Sequence, residues 1–223
     1  MKQQTNDISQ NLTALLETIK SSLKEQCKTV ELWHQQLIDD PYIIPPQQNV
    51  SFKNLQETII AQHYMNFTLW HIEDEARRKD VDASIIADCK YRIDVCNQKR
   101  NDRMEAVDFC LLNILKQSQT EQKSEKYNTE PPALAIDRLS ILALKIYHMQ
   151  EQIDRQDVDK THKESCQNKL NVLIEQREDI SLALLELIKD YYTGKKQMKV
   201  YYQFKMYNDP NLNPALYNTK KKQ

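Results

Sequence analysis

Three sets of side chains in this 223-residue chain combine residue types and spacings suited to chemistry. At about 100° per residue, Gln62, His63, Asn66, Glu73 and Arg77 share one helical sector with Trp70. Met65, Leu69, Ile72 and Ala76 flank one side of that stripe, and Ile60 and Phe67 flank the other. A solvated face is not walled by apolar residues on both sides, so the stripe is expected to point into a bundle. A second stripe, Asp94, Asn97, Asn101, Glu105 and Asp108, lies between Ile93, Met104, Val107 and Leu111 on one edge and Phe109 near the other. Arg100 and Asp102 stand at its margins. A third line carries Asp137, His148 and Glu151 with Ile141 and Leu144, and Arg138 lies beside it.

Buried ionisable groups must pair with one another or hold a ligand. Arg77, Arg100 and Arg138 offer bidentate forks to a phosphate or carboxylate, with His63, His71 and His148 as further donors. A small anion such as a sugar phosphate or nucleotide suits that lining. The expected ligand-binding set is His63, Asn66, His71, Glu73, Asp74, Arg77, Asn97, Arg100, Asn101, Glu105, Asp108, Asp137, Arg138 and His148.

A competing reading is metal-based. Glu105 and Asp108 form an ExxD pair on one helix face, and Glu73 or Asp74 would complete an oxygen cage for Mg²⁺. This resembles the all-α nucleoside triphosphate pyrophosphohydrolases. The departure is Glu73-Asp74-Glu75 where those enzymes carry ExxE, with Arg77 where another acid is wanted. In a third reading the same groups only fix helix register, Arg77 and Arg100 pairing with Glu73, Glu105 or Asp108. Histidine-based ligation has less support, because no HExxH pair occurs and His148 with Glu151 gives the reverse order. His34 and His162 read as interface or surface histidines. No GxSxG is present, and the cysteines read as small core residues. No catalytic role is assigned, and Mg²⁺ is the one cofactor the acids suggest.

The elements that must position these residues are helices. The chain contains one glycine, where about 15 would be average. That excludes GxGxxG and GxxxxGK phosphate loops and disfavours hairpins and barrels. Any ligand must therefore be read by side chains. Apolar residues recur at three- and four-residue steps over residues 8–38, from Ser51 as N-cap to residue 79, and over 83–115, 132–154 and 161–192. Pro41, Pro45 and Pro46 break the first segment, and Pro132 suits a first helical turn. The fold class is all-α: an antiparallel bundle of about five long helices with an irregular C-terminal tail. Residues 1–193 are expected to form the bundle, and residues 194–223 a Tyr/Lys-rich tail docked on it. Gly194 reads as the last helix's C-cap. Tyr201, Tyr202, Phe204, Tyr207 and Tyr217, interleaved with Lys195, Lys196, Lys199 and Lys205, favour packing of rings on the bundle. Lys220–Lys222 reads as a frayed end. The triplets 32–34 and 69–71 both read Leu-Trp-His, which two helices anchored by tryptophan would explain.

Net charge is −1, which makes no electrostatic case for nucleic acid as a partner. Five cysteines without a CxxC pair make a disulfide framework or zinc ribbon improbable. No run approaches the roughly 18 apolar residues of a membrane span, and the N-terminus lacks an apolar signal core. A soluble cytoplasmic protein is expected, with outer faces and tail open to a protein partner.

These segments also resemble a known family. Residues 66–77 (NFTLWHIEDEAR), 93–102 (IDVCNQKRND) with Glu105 and Asp108, 137–149 (DRLSILALKIYHM), and 204–210 followed by 213–217 are similar to the bacterial "domain of unknown function 4254" family. The likeness spans about residues 32–217. It implies an all-helical bacterial protein with no assigned activity and no catalytic residues to carry over. It also implies an association with cell-envelope polysaccharide and glycosyltransferase genes, which is not a mechanism.

Overall fold

The three- and four-residue apolar spacing builds five long helices: α1 (Lys2–Gln35), α2 (Phe52–Ala76), α3 (Ala83–Gln117), α4 (Pro132–Asp154) and α5 (Lys160–Tyr192). A single turn, α6 (Pro214–Tyr217), follows in the tail. The structure, a computed structural model, describes residues 2–36, 51–117, 124–201 and 209–217. Among the described residues no strand occurs. The all-α bundle expected from periodicity is the fold. The expected end of the first helix at Ile38, Leu37 included, and the breaks at Pro41, Pro45 and Pro46 lie outside the described residues.

Helix ends follow local chemistry. Ser51 Oγ accepts the Asn54 N–H at 3.1 Å and opens α2. Asp159 does the same for α5, accepting the His162 N–H at 2.7 Å. Pro132 occupies the first turn of α4, where its missing N–H costs nothing. Its neighbour Ala133 donates its N–H to Asp108 of α3 at 2.9 Å. Helix α2 stops at Ala76, three residues short of the expected end, because Arg77 N–H turns back to Asp74 C=O at 3.2 Å. Gly194 has φ 70°. The Lys195 N–H reaches Asp190 C=O at 2.9 Å, and the Gly194 N–H reaches Tyr191 C=O at 3.1 Å, a Schellman closure of α5.

Short links fold α2 onto α3 and α4 onto α5 as antiparallel hairpins. Against α4, however, α1 and α2 run in the same direction. Gln26 meets Ile136 and His34 meets His148, while Gln62 meets Asp137 and Trp70 meets His148. So α1, α2 and α4 point one way, and α3 and α5 point the other. The main core joins all five through residues such as Leu15, Ile59, Leu111, Leu139 and Ile188. Each such side chain contributes roughly 1.5–3 kcal/mol on burial. A second cluster, with Trp33, Tyr64, Met65, Leu69, Ile93 and Cys96, packs α1, α2 and α3 towards the C-terminal ends of α1 and α2.

Past Gly194 the chain lies on the bundle through an aliphatic residue. Met198 is buried in the main core, and the Gln197 N–H donates to Lys126 C=O at 2.8 Å. Lys199 sits 4.1 Å above the Tyr127 ring. Tyr201 and Tyr217 are exposed. Tyr202, Lys205, Phe204, Tyr207 and Lys220–Lys222 lie outside the described residues.

Candidate functional site

Asp137, early in α4, is the centre of the buried polar groups. Its Oδ1 accepts from Gln62 Nε2 at 2.5 Å, Asn66 Nδ2 at 2.9 Å and Arg100 Nε at 2.8 Å. Its Oδ2 accepts from Arg100 Nη2, which makes the pair bidentate. Asn66 also donates to Ser140 Oγ at 2.8 Å, and His63 Nδ1 meets the same hydroxyl at 2.6 Å. Three helices thus close one polar network. The bond to Asp137 raises the Arg100 pKa, so the guanidinium is a fixed cation. Burial drives His63 down to about 3, with the Arg177 charge adding to the effect. His63 is therefore a neutral imidazole behind the network.

In front of the network lies a groove between α2, α3 and α4 with a volume of about 420 Å³. Asn66, Glu73, Asp74, Arg77, Asn97 and Arg100 line it together with Leu69, Trp70, Ile141 and Leu144. Six of the fourteen sequence-selected residues meet there. Arg77 and Glu73 are paired at 2.9 Å across an exposed helix turn, and Arg77 also donates to the Glu73 C=O. The lower end of the second-helix stripe is therefore a rim, because α2 has left the core by that point.

The other expected residues go elsewhere. Arg138 is exposed, and Asn101 is half-buried further along α3. Asp108 is buried and caps α4, and desolvation pushes its carboxyl up to about 7. The acids proposed for Mg²⁺ do not converge, which corrects that expectation. Helices α2 and α3 run antiparallel, with Met65 C=O against Cys96 and Glu75 against Arg92. That register sets Glu73 and Asp74 about fifteen residues from Glu105 and Asp108 along α3, roughly 20 Å at 1.5 Å per residue. One ExxD face cannot recruit acids from the opposite end of its neighbour.

His71 and His148 leave the groove for a different group. With His34, their ring nitrogens lie within 4.8 Å of one another. Ring centroids are 5.0 Å apart for His34–His71, 5.0 Å for His34–His148 and 6.1 Å for His71–His148. Desolvation lowers the His71 pKa, and His34 and His148 push it the same way. Sequence reasoning set His34 aside as an interface or surface residue. The repeated Leu-Trp-His triplet was the available signal: both of its histidines belong to this cluster. Ser140 and the buried Arg103, which donates to Ala61 C=O at 2.7 Å, were also missed. A serine or an arginine on an otherwise apolar helix face carries no spacing signature.

The fold defines the class: an all-helical bundle in which side chains of α2, α3 and α4 line a polar groove. Residues 56–200, well over half of the chain, match the family model described as "Protein of unknown function (DUF4254)", and the chain belongs to that family. No curated protein and no solved structure matches the chain.

Proposed function

We propose that this protein binds a small anionic ligand, a sugar phosphate or a nucleotide, in the groove between α2, α3 and α4. The observation that carries the reading is the convergence of Arg77, Arg100, Asn66 and Asn97 with Trp70 on one cavity of about 420 Å³. Asp137 engages Nε and Nη2 of Arg100 and holds its plane, so the fork is positioned in advance. The Arg77–Glu73 pair is solvent-exposed and worth little, so a phosphate can take its place. Asn66 and Asn97 supply amides, Glu73 and Asp74 accept from hydroxyls, and Trp70, Ile141 and Leu144 cover an apolar ligand face. The resemblance to proteins associated with cell-envelope polysaccharide makes sugar phosphates of that chemistry the first to test. Five cysteines that form no disulfide support a reducing, cytoplasmic setting. A second reading rests on the saturation of Asp137 by Gln62, Asn66 and Arg100: the network fixes the register of α2, α3 and α4 and binds nothing.

Isothermal titration with hexose phosphates, nucleotide sugars and inorganic phosphate separates the two. Saturable binding is expected, and Arg77→Ala should weaken it by about tenfold or more, about 1.4 kcal/mol, at unchanged melting temperature. If no phosphorylated compound binds, the register reading holds; if the Arg77→Ala protein binds equally well, the ligand does not sit against Arg77 and the groove reading fails.

A further inference from the structure

His34, His71 and His148 come from α1, α2 and α4, the three helices that run in the same direction. All three lie towards the C-terminal ends of their helices. Helix C-termini carry partial negative charge and favour cations. The pairwise ring planes cross at 72°, 75° and 78°, so the imidazoles do not stack on one another, and one ring nitrogen of each lies within 4.8 Å of those of the others.

The hydrogen bonds of His34 and His148 fix which nitrogen carries the lone pair. His34 Nδ1 lies 2.6 Å from Val30 C=O, which can only accept, so Nδ1 carries the hydrogen. His148 Nδ1 lies 2.6 Å from Glu151 Oε2, and the same argument applies. Nε2 of each ring is then the lone-pair nitrogen. Both Nε2 atoms are buried and have no hydrogen-bond partner. An unsatisfied buried acceptor costs roughly 1–3 kcal/mol, and two side by side need a reason. A carboxylate or carbonyl behind an imidazole is the usual support of a metal-ligating histidine. The rings are also held in place: Tyr147 stacks on His34 at 4.4 Å, and Trp70 stacks on His148 at 4.6 Å. Aromatic packing alone would account for the rings but leaves two buried lone pairs without a hydrogen-bond partner.

We propose that His34, His71 and His148 form a binding site for a divalent metal ion of the zinc class. Three imidazole ligands at about 2.0–2.1 Å leave one tetrahedral position for water or a ligand, as in sites that do chemistry and unlike closed structural sites. Such a tetrahedron sets the nitrogens about 3.3 Å apart. Ring rotation, mainly of the exposed His71, closes the separation seen here. Access comes from a cavity of about 630 Å³ that His34 and His71 line together with Tyr64, Phe67 and Ile72. The site is distinct from the phosphate-binding groove, which lies on the other side of Trp70 and includes none of the three histidines.

The test is titration of full-length, chelator-stripped protein with Co²⁺ and then Zn²⁺. One equivalent of Co²⁺ should give the intense visible absorption of four-coordinate cobalt, and Zn²⁺ should bleach it. His71→Ala should abolish the spectrum while keeping the helical circular dichroism. Glu151→Gln should weaken binding roughly 10–100-fold, and this variant keeps the test decisive if a histidine variant fails to fold. His162→Ala, beside Cys166, should leave binding unchanged. Absence of stoichiometric Co²⁺ binding overturns the proposal. So does a spectrum that survives His71→Ala, or one that is lost in His162→Ala. Arg77→Ala leaves this site intact, so failure here and failure of the groove reading are separable.

Discussion

Asp108 and His63 are both buried, and burial moves them in opposite directions along the pH axis. The folded His63 value of about 3 lies below the ordinary 6.5. Its contribution to stability is complete above pH 6.5 and is lost as pH falls towards 3. Asp108 is raised from 3.8 to about 7. Its contribution is complete below pH 3.8 and is lost as pH rises to 7. Between pH 4 and 6.5 the two slopes, each about 1.4 kcal/mol per pH unit at most, oppose one another. Asp108→Asn keeps an oxygen for the Ala133 N–H and removes the acid. Urea denaturation across pH 4 to 8 should show this variant gaining on the unsubstituted protein as pH rises, by roughly 4 kcal/mol at most. A constant difference across that range would refute the assignment. Neither shift was legible in the sequence. Asp108 and His63 were picked out by sector, but sector does not reveal that one faces a helix start and the other a serine.

Among the elements, the helices themselves were readable because each carries its own period and caps. Ser51, Pro132 and Gly194 stand at the ends where their backbone preferences put them. Gly194 is the clearest case, since φ 70° penalises any residue with a Cβ. Gly194→Ala should lower stability by about 1 kcal/mol, read as a shift in the urea midpoint. A midpoint unchanged in that variant would mean the Schellman closure contributes nothing. The end of α2 was harder to read. Residues 77–79 continue a polar helical pattern, but the N–H groups of Arg77 and Arg78 turn back to Asp74 and Glu75 C=O, each at 3.2 Å, and tighten the last turn. In the described part of the tail Met198 is buried in the core while Tyr201 and Tyr217 face solvent; Tyr202, Phe204 and Tyr207 lie outside the described residues.

For the whole molecule, what decided the site was which helix faces which, and no single helix encodes that. The polar stripes pointed to the groove, and Asn66, Arg77, Asn97 and Arg100 met there. The acid cage failed because the antiparallel register of α2 and α3 separates its halves. The histidine cluster escaped notice because α1, α2 and α4 share a direction, and that shared direction brings residues from three distant stretches to one end. Trp70 stands at the boundary between these two places, its ring plane lying 7° from that of His148 while it also lines the groove. The chain holds only one other tryptophan, Trp33, which is buried. Intrinsic fluorescence should therefore report on both sides of α2. Co²⁺ should quench both tryptophans, because Trp33 adjoins His34 and lines the same cavity, a phosphorylated sugar should shift the Trp70 emission from the groove, and Trp70→Phe should abolish the sugar response while leaving quenching of Trp33. If Trp70→Phe left the sugar response intact, the link to Trp70 would fail. The protein thus comes with a built-in optical probe placed where the two proposed ligands come closest, and competition between them can be followed without a label.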